Sequence, residues 1–246
     1  MDETEAIIER VRRVTTDFQQ LELAIDPLLR KIKPGQSLLV RAQATGWHPY
    51  LREQWWPVSI RGDKLLVERP IGQQYESGQV VNVIGPVGQP YRFRRTLRNV
   101  LLLAYDTPPI PLLMTIPWLL GNNIGVTLVL LGQARSYTTQ HINPEVEIVQ
   151  GDENIVWENQ VMTVGWADQV FAVVAPDDEL GRFKRLLDRF HELRAEVPQN
   201  YLFAVFQPIL CCGTGACYSC LLPMRKGTQL ICTEGPAFDL TQVVLP

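Results

Sequence analysis

The sequence predicts an α+β, multidomain chain with three parts: an antiparallel β-barrel, a doubly wound α/β domain and a small cysteine-rich segment with a hairpin. Short β-branched stretches between turn residues fill the first part, and apolar strands alternate with helical stretches in the second. Four of the five cysteines lie close together near the C-terminus. We place the three parts at residues 1–95, 96–200 and 201–246.

The composition is typical of a soluble globular protein. The 246 residues are 46% hydrophobic and 20% charged, and the formal net charge of -3 gives no reason to expect nucleic acid. The acidic start MDETEAIIERV lacks the apolar core of a signal peptide. The uncharged run 107–134 is long enough to suggest a membrane span, but its prolines and GNN turn favour a buried helix, turn and strand. We therefore expect a cytoplasmic protein without a membrane span.

The first part carries the pattern of short strands. The stretch AIIERVRRVTTDFQQLELAI mixes alternation with β-branched residues, and SLLVRAQA, PVSIRG, KLLVERP and QVVNVIG follow it. The turn sequences KPGQ, RGDK and ESGQ separate these stretches. Several short strands at this spacing are typical of a small antiparallel barrel.

The second part alternates strands with helices. Four apolar strands are predicted at NVLLLAY, GVTLVLLG, VEIVQG and QVFAVVA, and TPPIPLLMTIPWLL predicts a helix with proline in its first turn. Residues 177–197 predict a further helix, whose apolar residues share one face: Leu180, Phe183, Leu186, Leu187, Phe190 and Leu193. This order predicts a parallel, doubly wound sheet.

The third part contains the string CCGTGACYSC. Four residues separate Cys212 from Cys217, two separate Cys217 from Cys220, and eleven separate Cys220 from Cys232. The first two gaps match the spacing of cysteines that bind a plant-type [2Fe-2S] cluster. We therefore predict these four thiolates as the ligands of a [2Fe-2S] cluster.

The glycines in this string favour the same interpretation. Gly213 and Gly215 can adopt positive φ and direct backbone N–H groups at sulfur. Cys211 is then the spare thiol, since its use would lengthen the first gap. Structural zinc, disulfides and free thiols are the alternatives, but zinc usually uses paired C-x2-C motifs and disulfides conflict with a cytoplasmic location.

The string LCCGTGACYSC, followed by ICTEGPAF, resembles the C-terminal signature of the dihydroorotate dehydrogenase electron-transfer subunit family. That family has a ferredoxin reductase-like fold: a flavin-binding barrel, a nicotinamide-binding α/β domain and a [2Fe-2S] segment. The resemblance follows the order of elements along the whole chain. It implies that electrons pass from NADH through FAD and the cluster to a flavin in a partner dehydrogenase.

The resemblance places a flavin strand at PVSI, residues 57–60, and a barrel-closing strand at SGQVVNVIGPVGQPYRF. It implies FAD contacts from Trp56, Pro57, Val58, Ser59 and Gly72. Trp56 stands where the family has an arginine for the FAD pyrophosphate, so a charge-assisted contact is missing. Arg52 or Arg61 is a candidate replacement.

The stretch WHPYLREQWW, residues 47–56, is crowded with aromatic residues. Four interpretations are open for the aromatic residues Trp47, Tyr50, Trp55 and Trp56. They stack on a flavin, fill a vacated flavin pocket, face a partner, or form ordinary barrel core and surface. FAD binding is therefore left open.

The nicotinamide motifs of the family are altered here. The turn after the first α/β strand reads AYDTPP, residues 104–109, and has no glycine. Asp106 adds a negative charge where a pyrophosphate would meet a helix N-terminus. A later Cys-Gly-Pro is replaced by Val174-Ala175-Pro176. NAD(P) binding is therefore not expected.

The remaining candidates carry no motif. His48, His141 and His191 are expected at the surface or in packing positions, and residues 224–227 read as a hairpin turn with a cationic tip. No catalytic residue is assigned. We expect an electron-transfer subunit within a larger oxidoreductase, with partner subunits that include a flavin-containing dehydrogenase. A complete NADH-dependent FAD/[2Fe-2S] reductase and a non-catalytic scaffold with a structural cluster are the alternatives.

Overall fold

The computed structural model describes residues 2–42 and 51–246. The first seven strands form one antiparallel sheet in the order β4-β3-β7-β1-β2-β6-β5. Their bounds are β1 Asp2–Arg13, β2 Phe18–Ala24, β3 Ser37–Arg41, β4 Glu53–Trp55, β5 Pro57–Arg61, β6 Lys64–Pro70 and β7 Val80–Val87. A short 3-10 helix, Leu29–Lys31, lies between β2 and β3.

The two edges of this sheet meet in one stretch of chain. β4 pairs with β3, β5 pairs with β6, and only Trp56 separates β4 from β5. The sheet therefore curls until the chain joins its two edge strands through Trp56, although β4 and β5 do not pair with each other in the described strand order, so the predicted barrel is open along this edge. Its interior holds a separate apolar core that includes the fully buried Trp55.

The rest of the chain forms a second sheet and a hairpin. The strands are β8 Asn99–Tyr105, β9 Gly125–Leu131, β10 Glu147–Gly151, β11 Gln169–Val174, β12 Leu202–Val205, β13 Leu221–Pro223, β14 Thr228–Leu230 and β15 Ala237–Asp239. The helices are α1 Ile110–Leu113, α2 Ile116–Gly121, α3 Gln160–Trp166, α4 Glu179–Leu193 and α5 Ile231–Glu234, with 3-10 turns at Gly132–Ser136 and Pro176–Asp178.

The second sheet has the order β10-β9-β8-β11-β12-β15. The first five of these strands are parallel, and β15 adds antiparallel to β12. The chain winds one way from β8 to β10 and then crosses back to β11, so β8 and β11 flank the switch point. In sheets of this kind, ligands bind outside the carboxyl ends of the strands at that point.

The predicted fold class is confirmed, and two details differ from the sequence expectation. The helix expected over TPPIPLLMTIPWLL forms as two short helices, α1 and α2. Pro117 lacks the N–H that would continue α1, and its ring would meet the carbonyl four residues earlier. The antiparallel strand β15 was not anticipated from the sequence.

Two apolar cores cover the faces of the second sheet. One holds α4 through the buried Phe183, Leu186 and Phe190, as the helical pattern predicts. The same core includes Cys220 and Cys232, so the cysteine segment packs on this face. The other core holds α1 and α2 together with Tyr91. None of the helices in the described ranges is long and apolar enough to cross a membrane.

Candidate functional site

The cysteine segment runs from the end of β12 through the hairpin β13–β14 to α5. Cys220 and Cys232 are buried, Cys212 is half-buried, and Cys217 and Cys211 are exposed. The backbone N–H of Cys232 donates to Cys220 Sγ at 3.4 Å, and Ile231 N–H donates to the Cys220 carbonyl at 3.0 Å. The hairpin thus brings the third and fourth predicted ligands together, although eleven residues separate them in the chain.

The glycines bend the loop around the first two predicted ligands. Gly213 and Gly215 have φ of +69° and +82°, conformations that residues with a side chain rarely adopt. A Cβ on Gly213 would lie 2.8 Å from Leu39 Cδ1, and one on Gly215 would lie 3.1 Å from Thr233 Cγ2. Between them, Thr214 N–H donates to Cys212 Sγ at 3.4 Å. The left-handed conformation therefore favours glycine at both positions, and the close neighbours leave little room for a Cβ.

The surroundings of the thiols differ in their effect on ionisation. Hydrogen bonding from Thr214 lowers the pKa of Cys212 to about 6, and Cys217 also hydrogen-bonds to this thiol. Burial raises the pKa of Cys232 to about 12. A hydrogen bond with Cys217 raises the pKa of Cys211. A metal group bound by all four cysteines must therefore offset the free-energy cost of ionising the buried Cys232 thiol.

The donor set fits a two-iron cluster. Within residues 2–42 and 51–246, no three His, Cys, Asp or Glu side chains are grouped to hold a metal ion. A [2Fe-2S] cluster has two protein ligands on each iron, so it needs two pairs of thiols. Cys220 contacts Cys232, and Cys212 contacts Cys217. Backbone N–H groups point at sulfur in both pairs, as cluster sites require.

The switch point is occupied by contacts within the chain. Asp106, directly after β8, has φ of +58°. Its carboxylate accepts the N–H of Gln133 at 3.0 Å and lies 3.3 Å from Arg182 Nε. The negative charge that the sequence places here is therefore paired with a cation, and the carboxylate closes the gap between the ends of β8 and β9.

The helix that follows Asp106 offers few hydrogen-bond donors. Pro108, Pro109 and Pro111 have no backbone N–H, and the N–H of Leu112 donates to the Pro109 carbonyl at 2.8 Å. Helix α1 is also only four residues long. A dinucleotide pyrophosphate needs several free N–H groups at such a helix start, and this one does not supply them.

A cavity of about 560 Å³ opens between the barrel and this end of the second sheet. Its described walls come from the barrel, the turns after β8 and β11, and the start of the cysteine segment. They are Phe18, Leu51, Arg52, Glu53, Gln54, Trp56, Glu68, Arg69, Pro70, Thr107, Pro108, Ile110, Pro111, Pro176, Gln207, Pro208, Ile209 and Leu210. The volume lies within the range of small-molecule sites.

Of the residues proposed for FAD, Trp56 is the one among the described walls of this cavity. Pro57 and Val58 are buried, and Ser59 pairs with Leu66 across β5 and β6. Gly72 is exposed, with open space around its Cα. These four positions stay predictions of the resemblance.

The aromatic stretch divides between core and cavity. The buried Trp55 packs edge-on against Tyr75, with ring centroids 5.5 Å apart, inside the barrel. Trp56 faces the cavity instead. Trp47, His48 and Tyr50 lie outside the described residues.

Neither candidate replacement for the missing arginine offers a free guanidinium among the described walls of the cavity. Arg52 lines the cavity, but its guanidinium lies 2.8 Å from Glu3 Oε1 and also donates to Asn82. Arg61 is exposed beside the β5–β6 turn. Arg69, which sequence reasoning did not single out, lines the cavity and pairs with Glu53 at 2.5 Å.

Sequence reasoning also missed a buried polar cluster beside this cavity. Glu68 on β6 has a fully buried side chain, and Tyr137 Oη donates to its Oε2 at 2.6 Å. His141 Nε2 lies 3.0 Å from Tyr137 Oη and 3.1 Å from Glu68 Oε1. His141 is therefore part of a specific cluster, while His191 is exposed at the end of α4. A glutamate inside the apolar run LLVERP was the available signal.

These features define a protein with a ferredoxin reductase-like fold and a C-terminal iron–sulfur segment. Residues 207–244 match the family model of the iron–sulfur cluster binding domain of dihydroorotate dehydrogenase B. The resemblance drawn from the cysteine string is thereby confirmed.

Named relatives agree with this match. The chain is 28% identical over 195 residues to the electron transfer subunit of dihydroorotate dehydrogenase B (NAD(+)) from Shouchella clausii, covering 75% of this chain and 70% of the relative. It is 22% identical to the Bacillus mycoides subunit of the same name over the full length of both. These relatives are subunits of a dehydrogenase, and by name they transfer electrons.

Solved structures support the fold. The structure of NADH-dependent reduced ferredoxin-NADP oxidoreductase superposes with a TM-score of 0.74 at 16% identity, covering 98% of this chain and 90% of that one. The ferredoxin reductase of carbazole 1,9a-dioxygenase superposes with a TM-score of 0.58 at 15% identity, over 82% and 68% of the two chains.

Proposed function

We propose that this chain is an electron-transfer subunit that carries a [2Fe-2S] cluster and passes single electrons within a larger oxidoreductase, as the dihydroorotate dehydrogenase B subunits do by name. The main support for this proposal is that four cysteines form two contacting pairs inside the segment that matches the iron–sulfur family model. The ligands are Cys212, Cys217, Cys220 and Cys232.

The cysteine segment would cover one side of the cluster with protein and leave the other side facing solvent. Cys220 and Cys232 lie in the apolar core, whereas Cys217 and the neighbouring Tyr218 are exposed. The N–H groups of Thr214 and Cys232 stabilise negative charge on the sulfurs. The cluster supplies one-electron chemistry, and its exposed edge is where a partner protein would approach.

The partner in this proposal is a flavin-containing dehydrogenase subunit, and the compartment is the cytoplasm. Five free cysteines in one chain fit a reducing compartment. NAD(P)H is not the direct donor in this proposal, because three prolines leave few backbone N–H groups at the switch point and Asp106 adds a negative charge there. Electrons then enter from another subunit or from a flavin in the cavity.

The second candidate is a complete reductase with its own FAD, and the cavity favours it. Trp56 and Phe18 give the cavity aromatic walls, and about 560 Å³ is room for a flavin ring. Against FAD, Arg52 and Arg69 are already paired with glutamates. A pyrophosphate without a bidentate arginine loses a contact of about 1.5–3 kcal/mol.

An anaerobic absorption spectrum separates these candidates. In the relay, dithionite bleaches the cluster bands and NADH leaves them unchanged. In a complete reductase, NADH bleaches both flavin and cluster. A purified protein without cluster bands after anaerobic reconstitution contradicts the proposal, and a cluster that resists dithionite supports a purely structural role.

The ligand assignment is tested with single Cys→Ser variants. We expect each of Cys212, Cys217, Cys220 and Cys232 to be required for full iron and sulfide content, because each supplies one of four ligands. Cys211→Ser is the matched control and should retain the cluster. Full cluster content in Cys232→Ser, or loss in Cys211→Ser, would show that the assignment is wrong.

A further inference from the structure

A second cavity, of about 850 Å³, opens at the edge of the second sheet, where β12 and β15 lie. The linker between β7 and β8 forms one wall through residues 89–94, and the hairpin β13–β14 with α5 forms another. Gln169 at the start of β11 and Asn200 just before β12 also line it, so it lies at the end of the sheet opposite the switch point. None of its described wall residues is shared with the cavity beside Trp56, so the two cavities are separate sites.

The linker wall is held in place at both ends by hydrogen bonds. The N–H of Gln89 donates to the Gly235 carbonyl at 2.6 Å, just after α5. At the other end, the N–H of Arg94 donates to Gln169 Oε1 at 3.3 Å, and Gln169 Nε2 donates to the Arg92 carbonyl at 3.0 Å. The shape of this wall is therefore set before any ligand arrives, which lowers the cost of ordering the site on binding.

Three cations line the cavity from two of its walls. Arg92 and Arg94 lie on the linker, and Lys226 lies at the turn of the hairpin. None of the three forms an ion pair within residues 2–42 and 51–246. The guanidinium of Arg94 is oriented by two carbonyls, those of Asn200 at 3.1 Å and Gln199 at 3.0 Å. The positive charges of this site are thus left without carboxylate partners from the described chain.

The two carboxylates of the cavity wall are engaged by backbone donors instead. Asp239 Oδ2 accepts the N–H of Asn200 at 2.7 Å, and its Oδ1 accepts the N–H of Thr241 at 3.0 Å. Glu234 Oε2 accepts the N–H of Leu230 at 2.7 Å. Three cations therefore stand against two carboxylates that already have partners. The balance of charge in the cavity favours a negatively charged ligand.

Side-chain amides add further donors to the same site. Gln199, Asn200 and Gln229 line the cavity, and their amide groups have no hydrogen-bond partner in the part of the chain that the structure describes. Each amide carries two N–H donors, and a guanidinium pairs well with carboxylate or phosphate oxygens. A ligand that uses these groups carries several oxygen atoms and more than one negative charge.

We propose that this cavity binds a small polyanion with at least two carboxylate or phosphate groups, which bridges the linker and the hairpin. Arg92 and Arg94 bind one end of the anion, and Lys226 binds the other. The volume of about 850 Å³ lies within the range of small-molecule sites. The inference is independent of the proposed electron transfer, because it uses no cluster ligand and no residue of the cavity beside Trp56.

The test uses two anions of different chemistry, tricarballylate with its three carboxylates and fructose 1,6-bisphosphate with its two phosphates. Uncharged fructose is the control ligand. Titration calorimetry measures binding to the full chain with its cluster reconstituted. We expect a Kd below about 1 mM for at least one anion at low ionic strength, and weaker binding as added salt screens the charges. Binding of only one of the two anions supports the inference and assigns the site to carboxylate or to phosphate.

Paired substitutions then assign the binding to this cavity. Arg92→Gln combined with Lys226→Gln should weaken anion binding by about fivefold or more, because both side chains are exposed cations of the wall. Arg95→Gln combined with Arg225→Gln is the matched control. It removes the same charge at neighbouring exposed positions outside the described walls, and it should bind within about twofold of the unchanged protein. Equal losses in the two variants would show general charge attraction and overturn the inference.

The remaining outcomes separate this inference from the proposed function. No binding of either anion up to about 10 mM, or equal binding of fructose, overturns the anion site. Iron and sulfide analysis of the same samples reports on the cluster independently. A chain that binds an anion but cannot be loaded with a cluster would contradict the relay and support the anion site. A chain with a cluster and no anion binding would do the reverse.

Discussion

The cysteine loop and the switch point are both places where this scaffold must present backbone N–H groups to a bound group, and they differ in whether they can. In the cysteine loop, two glycines at positive φ direct N–H groups at sulfur. At the switch point, three prolines remove N–H groups, and Asp106 takes a positive φ itself. The backbone N–H groups that remain free therefore favour a cluster at the cysteine loop over a dinucleotide pyrophosphate at the switch point.

The same comparison shows how each region satisfies its own polar groups. Asp106 caps Gln133 and pairs with Arg182, so the switch point is complete without a ligand. In the cysteine loop, burial raises the pKa of the Cys232 thiol to about 12, so ionising this thiol at neutral pH requires compensation by a metal group. The polar groups of the switch point are thus satisfied within the chain, whereas the thiols of the cysteine loop favour a bound metal group.

The largest expected effect on the cluster comes from the loop glycines. Gly215→Ala should lower cluster content severalfold and destabilise the protein by about 1–2 kcal/mol, since the new Cβ needs a left-handed conformation and meets Thr233 and Leu230. Iron and sulfide analysis with urea unfolding measures both effects.

Gly227→Ala is the matched control for this change. Gly227 has the same φ of +82°, but a Cβ there meets nothing within 4 Å. We expect a similar conformational cost and full cluster content. Equal loss of cluster in both variants would mean that the close packing of the loop is irrelevant to cluster binding.

Glu179 joins the two regions, and its expected effect is on the pH dependence of stability. It opens α4 just after the switch point, and its Oε1 accepts the N–H of Gln207, where the matched iron–sulfur segment begins, at 2.6 Å. Burial raises the pKa of Glu179 to about 7 from 4.5, although the Gln207 hydrogen bond opposes the shift. The folded state therefore binds a proton more tightly than the unfolded state.

The sign of the pH effect follows from that difference. Between pH about 4.5 and about 7, the folded state holds more protons, so Glu179 makes the free energy of unfolding fall by about 2–3 kcal/mol as pH rises. Glu179→Gln should remove this part of the slope in urea unfolding at pH 5 and pH 8. An unchanged slope in the variant, matched by Glu76→Gln, would show that Glu179 is not the responsible group.

Local patterns predicted most strands, the long helix and the ligand candidates. The run KLLVERP became β6 and NVLLLAY became β8 because buried strands leave short, uninterrupted apolar runs. The spacing of Cys212, Cys217 and Cys220 indicates a loop that wraps around a bound group. Three of the four ligand candidates could therefore be recognised within ten consecutive residues.

Contacts between distant parts of the chain escaped prediction. Glu68 and Tyr137 are 69 positions apart, and no local pattern links them. The break between α1 and α2 follows from Pro117. The sequence was equally compatible with one longer helix that has proline in its first turn. The ion pair between Asp106 and Arg182 likewise depends on the packing of α4, which the sequence places only approximately.

The smallest expected effect tests the reason for the weak NADH binding that we propose for the switch point. Two explanations are available: the charge of Asp106 repels a pyrophosphate, or the prolines leave too few N–H donors. Because Arg182 already pairs with Asp106, we expect the missing donors to dominate. Asp106→Asn should then leave NADH binding as weak as in the unchanged protein, within about threefold, in titration calorimetry. Ser136→Ala, an exposed change on the turn after β9, is the control for handling and stability. Micromolar binding in Asp106→Asn would assign the defect to charge, and micromolar binding in the unchanged protein would return the complete reductase to first place.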